Sequence, residues 1–205
     1  MDNNYLFIDG SALLSDIRRY KKANPNLAAK KFNIASFTTE IFTSKRLQQF
    51  HNGGYRRAVF YFVKNDERVN QELIIPNFSE AGVVEDLQVK YCGKKIPSYK
   101  KAEEWLENQN APNYVKDSLY KSEKAVDTQI CCDALVYLSL NKLDRLFLYT
   151  NDYDFIPLCQ SIKSMGANIN LIKLVQEKVN ALLVKECDAF FALNKTELET
   201  LFQDL

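Results

Sequence analysis

The sequence predicts an α/β protein, a three-layer sandwich in which helices cover both faces of a mostly parallel sheet. The main observation is that short, continuous apolar segments alternate with longer segments of helical periodicity. Strands that are apolar on both sides are typical of a parallel sheet covered by helices. The second observation is that no internal repeat or evident linker divides the 205 residues, which predicts one domain over 1–205.

The first half of the chain supplies a strand, two helical segments and two further strands. Residues 5–8 form a compact apolar run that stops at an Asp-Gly pair, and a helical pattern begins near Ser11. Residues 32–50 carry apolar side chains at helical spacing. Residues 58–63 form a continuous run rich in β-forming residues, and residues 83–91 form a weaker third strand.

The second half repeats the alternation. A helix is predicted from Asp127 to about Leu140, because apolar residues continue at helical spacing from that point. Residues 145–150 and 168–174 are the fourth and fifth predicted strands, and a helix begins near Tyr153 between them. Five strands with intervening helices are enough for a parallel sheet.

Residues 92–124 interrupt this order. They contain two prolines, many lysines and several aromatic residues. The segment is much longer than the usual connection between a strand and a helix, which is about 2–6 residues. We interpret it as an insertion that covers or flanks the functional site, and a solvated structural excursion is the simpler alternative.

Composition and charge exclude several classes of protein. The 27 Lys+Arg and 26 Asp+Glu residues give a net charge of +1, so nucleic-acid binding would need a local basic patch. No apolar run approaches the roughly 20 residues that span a bilayer, and the first residues do not resemble a signal peptide. Five cysteines without a CxxC pair and one histidine argue against a disulfide framework or a zinc site. We therefore expect a cytoplasmic protein with no membrane partner.

Carboxylates follow two of the predicted strands. Asp9 ends the first strand, and Asp152 and Asp154 follow the fourth. Ligands of parallel α/β sheets bind outside the carboxyl ends of the strands, so these acids are predicted to share one edge. Asp127 is expected as the N-cap of its helix. Asp133 follows six residues later, a rotation of roughly 240° that does not place the two on one face.

Clustered carboxylates with no matching Lys or Arg repel one another, and a divalent cation relieves that repulsion. Mg²⁺ and Mn²⁺ prefer oxygen ligands and can promote hydrolysis of a phosphodiester. Each acid also has a structural alternative. Asp9 could only end a turn, Asp127, Asp152 and Asp154 could only cap helices, and Asp133 could serve packing alone.

Several segments together resemble the NYN domain, a branch of the PIN-like nuclease superfamily, and within it the LabA-like bacterial subgroup. The resemblance lies in FIDG at 7–10, EKAVD with DAL within 123–135, and YTNDYDFIPL at 149–158. The later segments 164–168 and 187–193 are similar to the closing features of the family. Three departures stand out: Ser-Ala follows the first DG where the family often has Asn, Ala replaces the glycine of KGVD, and Asn replaces that of SGD.

The resemblance implies a PIN-like αβα sandwich, dependence on Mg²⁺ or Mn²⁺, and RNA as substrate. It implies metal binding by Asp9, Asp127, Asp152 and Asp154, with Asp133 as a further acid of the same motif. The prediction is thus a metal-dependent ribonuclease, an endonuclease, in which these five acids form the catalytic site. The alternative is a non-catalytic RNA- or protein-binding module of the same fold.

Other expectations concern neighbours of the acids. The candidate substrate contacts are Ser11, Lys121, Lys124, Asn151 and Tyr153. The two lysines could equally be solvated, and the tyrosine could stack on a base or pack at the edge of the site. A haloacid-dehalogenase-type phosphatase is disfavoured because it needs a second carboxylate at position 11, and a dinucleotide site because the first turn is not glycine-rich. An exposed apolar helix could support a homodimer.

Overall fold

The computed structural model describes residues 3–43, 55–75, 87–95, 108–109, 123–175 and 179–204. The strands are β1 (Asn4–Asp9), β2 (Lys31–Asn33), β3 (Tyr55–Val63), β4 (Leu73–Ile74), β5 (Leu87–Cys92), β6 (Lys94–Lys95), β7 (Glu123–Lys124), β8 (Arg145–Tyr149), β9 (Asn168–Lys173), β10 (Ala189–Ala192) and β11 (Phe202–Gln203). The helices are α1 (Gly10–Ala23), α2 (Ile34–Thr43), α3 (Glu67–Glu72), α4 (Val126–Ser139), α5 (Ile156–Ser164), α6 (Ala181–Glu186) and α7 (Lys195–Glu199). Short 3-10 turns lie at Pro25–Leu27 and Tyr153–Phe155.

A six-stranded sheet of order β10-β9-β8-β1-β3-β5 forms the centre of the fold. Every pair of neighbouring strands in it is parallel. β1 lies in the middle, with Asp9 level with Tyr61 of β3 and Ile8 level with Tyr149 of β8. The carboxyl ends of β1, β3 and β8 therefore meet at one edge, which confirms the predicted α/β class and the parallel sheet.

Two buried clusters lie on opposite faces of this sheet, because successive residues of a strand point to opposite sides. On one face Leu6 and Ile8 of β1 pack with the apolar residues of α1 and α2. On the other face Phe7 packs with apolar residues of α4 and α5, such as Ile130 and Ile162. Helices thus cover both faces, and the three-layer arrangement is confirmed.

Short strands account for most differences from the sequence prediction. The 32–50 segment begins as β2, and its helix, α2, ends at Thr43 within the described residues. β2 pairs with β4 and β11 in a separate three-stranded sheet, and β10 extends the central sheet. These strands have two to four residues each, too few for a periodic pattern to be recognised.

The predicted insertion falls largely outside the described residues, as do 44–50 and 83–86. Its described ends are paired, since Lys94 lies opposite Lys124 and Lys95 opposite Glu123 in an antiparallel ladder. The chain therefore leaves β5 and returns to α4 through neighbouring positions. In the described ranges, no helix combines the length and the apolar character needed to cross a bilayer. The single domain stays a prediction.

Candidate active site

Asp9 connects β1 to α1 at the carboxyl edge. It is the N-cap of α1, and its Oδ1 accepts hydrogen bonds from the backbone N–H groups of Ser11 (3.0 Å) and Ala12 (3.2 Å). The next residue, Gly10, packs against the Phe62 ring so closely that a Cβ atom there would collide with it. The sharp turn and the close approach of α1 to β3 therefore fix the Asp9 carboxylate at the edge.

Thr150 joins Asp9 to Asp152. The fully buried Thr150 hydroxyl donates a hydrogen bond to Asp9 Oδ2 (3.1 Å) and accepts one from the Asp152 backbone N–H (3.2 Å). A single oxygen atom thus links the residue that ends β1 to the loop that follows β8. The structure brings Asp9 and Asp152 together through this hydroxyl, which the sequence analysis did not single out.

The loop after β8 presents its acids toward solvent. Asp152 Oδ1 accepts a hydrogen bond from the Asp154 N–H (2.9 Å) and so caps the 3-10 turn. Asp154 is exposed, and 59% of Tyr153 is accessible to solvent. Asn151 points elsewhere, because its Oδ1 accepts a hydrogen bond from the Asn180 N–H (3.0 Å) at the start of α6. The outer side of this loop is therefore accessible to a substrate.

The acids of α4 have separate environments. Asp127 is exposed and is the second residue of the helix, so its expected position as the N-cap was wrong. The cap is Ala125, which has a left-handed backbone with φ of 81°. Through this conformation the chain turns into α4, and the helix starts at Val126, one residue before Asp127. The glycine of the resembled motif suits such a backbone better than alanine does.

Asp133 is held by protein donors. Its Oδ2 accepts hydrogen bonds from Tyr61 Oη (2.8 Å) and Lys90 Nζ (2.6 Å), and its Oδ1 accepts one from Gln129 Nε2 (2.9 Å). These contacts fasten α4 to β3 and β5. Burial, with the nearby Asp133 charge, raises the pKa of Tyr61 well above its usual value, so the phenol stays a donor. These contacts match the alternative in which Asp133 serves packing alone.

A buried ion pair lies beside Asp9. Lys173, at the end of β9, is 2% exposed, and its Nζ lies 2.5 Å from Oδ2 of Asp16 on α1. Tyr149 Oη donates a hydrogen bond to the same oxygen (2.6 Å), and Arg19 pairs with the other carboxylate oxygen. Burial lowers the pKa of Lys173, while the Asp16 charge and, less strongly, the Asp9 charge act to raise it.

The Lys90–Asp133 pair corrects the premise that no basic residue matches the acids, whereas Lys173 pairs with Asp16, which is outside the predicted set. A lysine inside an apolar strand is a recognisable signal, because lysine is almost never fully buried unless it is paired. Asp16 follows Asp9 by seven residues, about two helical turns, so it returns to nearly the same side of α1. Which acid meets Lys173, however, depends on how α1 packs against β9 and cannot be read from either segment alone.

The donor set fits one kind of metal site. In the part of the chain that the structure describes, no three His, Cys, Asp or Glu side chains are grouped closely enough to enclose an ion. Mg²⁺ does not require such a cage, since it usually keeps several waters and binds one or two carboxylates together with substrate phosphates. Asp9 and Asp152 would be the two carboxylates of such a site, because Thr150 links the Asp9 carboxylate to the backbone of Asp152. Lys121 lies outside the described residues, as does the side chain of Lys124.

Comparison with solved structures gives a match over nearly the whole chain. The crystal structure of a protein of unknown function from Vibrio parahaemolyticus has a TM-score of 0.52 and 16% sequence identity, and the match covers 95% of this chain and 94% of that one. At this identity the match shows the fold alone. A search of curated proteins gives no match.

A sequence model of the NYN domain matches residues 55–194, from the start of β3 to two residues past the end of β10. This segment contains Asp127, Asp133, Asp152 and Asp154, whereas Asp9 lies before it and joins the edge through the sheet. The match extends over more than half of the sequence, and the parallel αβα architecture agrees with it. The chain therefore belongs to the NYN domain family, which has a nuclease-like fold.

Proposed function

We propose that this protein is a divalent-metal-dependent ribonuclease whose active site is the edge formed by Asp9 and Asp152. The observation that carries the proposal is the Thr150 hydroxyl, which contacts both residues and holds two carboxylate-bearing segments of the chain side by side. The nuclease-like family supports phosphodiester hydrolysis as the reaction. The motif at 149–158 favours the LabA-like branch of that family.

Asp9 and Asp152 would hold Mg²⁺ or Mn²⁺, with the exposed Asp154 and Asp127 as further ligands. A bound divalent ion would activate water for attack and stabilise the negative charge that develops on the phosphate oxygens. The chain itself contributes orientation: Thr150 and the backbone of α1 fix the Asp9 carboxylate before substrate arrives.

The accessibility of the edge favours endonucleolytic cleavage. Asp154 and Tyr153 are exposed on the outer side of the loop, so an internal phosphodiester could reach the site without a free chain end. Tyr153 could stack on an RNA base there. We infer a cytoplasmic enzyme. A homodimer could form through two exposed apolar residues, Val136 of α4 and Leu140 directly after the helix.

The direct test is incubation of the full chain with single-stranded RNA and Mn²⁺. We expect cleavage that chelation abolishes and that Asp9→Asn or Asp152→Asn reduces at least about a hundredfold. Asparagine keeps an oxygen that accepts the capping hydrogen bonds, and at position 9 its Nδ2 can donate to the Thr150 hydroxyl oxygen instead of accepting from it, so these variants should fold. Asp204→Asn is the matched control, since its side chain is 80% exposed and pairs only distantly, with Lys30 at 3.4 Å. Undiminished cleavage by Asp9→Asn would refute the assignment.

A further inference from the structure

A cavity opens at the same edge of the sheet as Asp9. It has a volume of about 420 Å³ and is lined by Lys64, Asn65, Asp66, Val69, Asn70 and Tyr91. Most of these residues follow the carboxyl end of β3, and Tyr91 lies near the end of β5. Since β1, β3 and β5 are consecutive in the sheet, the far wall lies about 10 Å from Asp9, two strand spacings away.

Phe62 lies between Tyr91 of this cavity and the Asp9 turn. One part of its ring packs against Gly10, the residue directly after Asp9. The ring also contacts Tyr91, with 6.2 Å between the ring centroids and 36° between the planes. A molecule seated on Tyr91 would therefore be separated from the Asp9 segment by one aromatic ring.

The lining offers a stacking surface and hydrogen-bonding groups. Tyr91 is 46% exposed although its ring is supported by Phe62, so it presents a fixed aromatic surface to solvent. The side chains of Asn65 and Asn70 are exposed, and each amide carries both donors and acceptors. Nucleobases are bound in this way when they are unpaired: they stack on an aromatic side chain and are hydrogen-bonded along their edges.

The charged residues of the cavity favour an anionic ligand. Lys64 is exposed and available to a phosphate. Asp66 is buried, and its carboxylate is engaged by the backbone N–H and the guanidinium of Arg68. Asn65 has a φ of 61°, a left-handed conformation that asparagine tolerates, and this turn places Lys64 and Asp66 on either side of it. The Arg68 guanidinium thus offsets the one carboxylate of the lining, Asp66. Lys64 therefore gives the cavity a positive charge.

We propose that this cavity binds an unpaired base of single-stranded RNA beside the phosphate at Asp9. The inference rests on the proposed function and adds to it the residues that would seat a base next to the cleaved phosphate. The volume of the cavity lies within the range of small-ligand sites, about 300–1,000 Å³, so a nucleotide fits. A duplex keeps its bases stacked inside the helix and could not insert one without unpairing it.

The test is equilibrium binding of a fluorescently labelled single-stranded oligoribonucleotide to the full chain, with chelator present so that cleavage plays no part. We expect Tyr91→Ala to raise the Kd at least about fivefold, since stacking on one aromatic residue contributes about that factor or more. Tyr91→Phe retains the ring and with it the stacking, so its Kd should stay within twofold of the wild-type value. Binding of a blunt RNA duplex should be unaffected by Tyr91→Ala.

Two further variants separate a binding role from a structural one. Asn70→Ala alters an exposed lining residue and should weaken single-strand binding without lowering the melting temperature. Lys64→Ala should weaken single-strand binding more than Lys142→Ala, which removes another exposed lysine, near the opposite end of the sheet. Unchanged single-strand affinity in both Tyr91→Ala and Asn70→Ala would overturn the proposal, as would an equal loss for duplex RNA. If the wild-type protein cleaves no RNA but Tyr91→Ala still weakens single-strand binding, the cavity proposal is supported and the nuclease assignment is contradicted.

Discussion

Ala125 shows how one residue determines the start of a helix. Its φ of 81° lies in the left-handed region, which costs a non-glycine residue about 1–2 kcal/mol. Glycine removes that strain but gains freedom in the unfolded chain, so the two effects partly cancel. We expect Ala125→Gly to raise the free energy of unfolding by about 0.5–1 kcal/mol, measured by urea denaturation. Ala134→Gly, within the same helix, should lower it by about 1 kcal/mol. A loss at both positions would contradict this explanation.

Lys173 and Asp16 stabilise each other in the interior. Both side chains are almost inaccessible to solvent, so removing the lysine charge would leave a buried carboxylate with fewer partners. We expect Lys173→Met to lower the free energy of unfolding by about 3 kcal/mol. The double variant Lys173→Met/Asp16→Asn should lose less than the sum of the single losses, as a double-mutant cycle would show. Strictly additive losses would mean that the two charges do not interact.

Two tyrosines fasten helices to opposite faces of the sheet. Tyr61 of β3 donates to Asp133 on α4, and Tyr149 of β8 donates to Asp16 on α1. Burial, with the adjacent carboxylate in each case, raises the pKa of both phenols far above 10.0. The folded state therefore keeps these protons at a pH where the unfolded chain loses them.

The alkaline stability of the protein should depend on these two contacts. A raised pKa in the folded state contributes stability that is complete below the unfolded pKa of about 10 and declines as the pH rises above it. Each phenol should lower the free energy of unfolding by about 1.4 kcal/mol per pH unit above pH 10. Tyr61→Phe and Tyr149→Phe should each flatten this slope in denaturation curves at pH 10–11. Equal slopes in wild type and both variants would show that the phenols ionise in the folded protein.

At the level of elements, the sequence was informative where a segment was long and buried. The strands 58–63 and 145–150 could be recognised because both faces are covered by helices and both are continuously apolar. β2 was mistaken for the beginning of α2, since three residues fit either pattern. Asp127 was misplaced because the left-handed Ala125 carries no signal of its own in the sequence.

At the level of the whole molecule, parallel topology is what made part of the site predictable. Once β1 and β8 were expected in one parallel sheet, the residues that follow them had to emerge at the same edge. Thr150 and Lys173 were not identified, because their roles depend on contacts between segments far apart in the chain. The parallel sheet therefore predicted which acids emerge at this edge. The contacts that hold them there depend on how distant segments pack.

If Asp9 and Asp152 hold one divalent ion between them, the stability of the protein should depend on that ion, and a melting experiment tests this most directly. An ion that binds only the folded state raises the free energy of unfolding, by about 2.7 kcal/mol at a concentration one hundred times the Kd. We expect Mn²⁺ to raise the melting temperature of the wild type, and each of Asp9→Asn and Asp152→Asn to remove most of that rise while Asp204→Asn retains it. A full rise in both Asp9→Asn and Asp152→Asn would contradict the account.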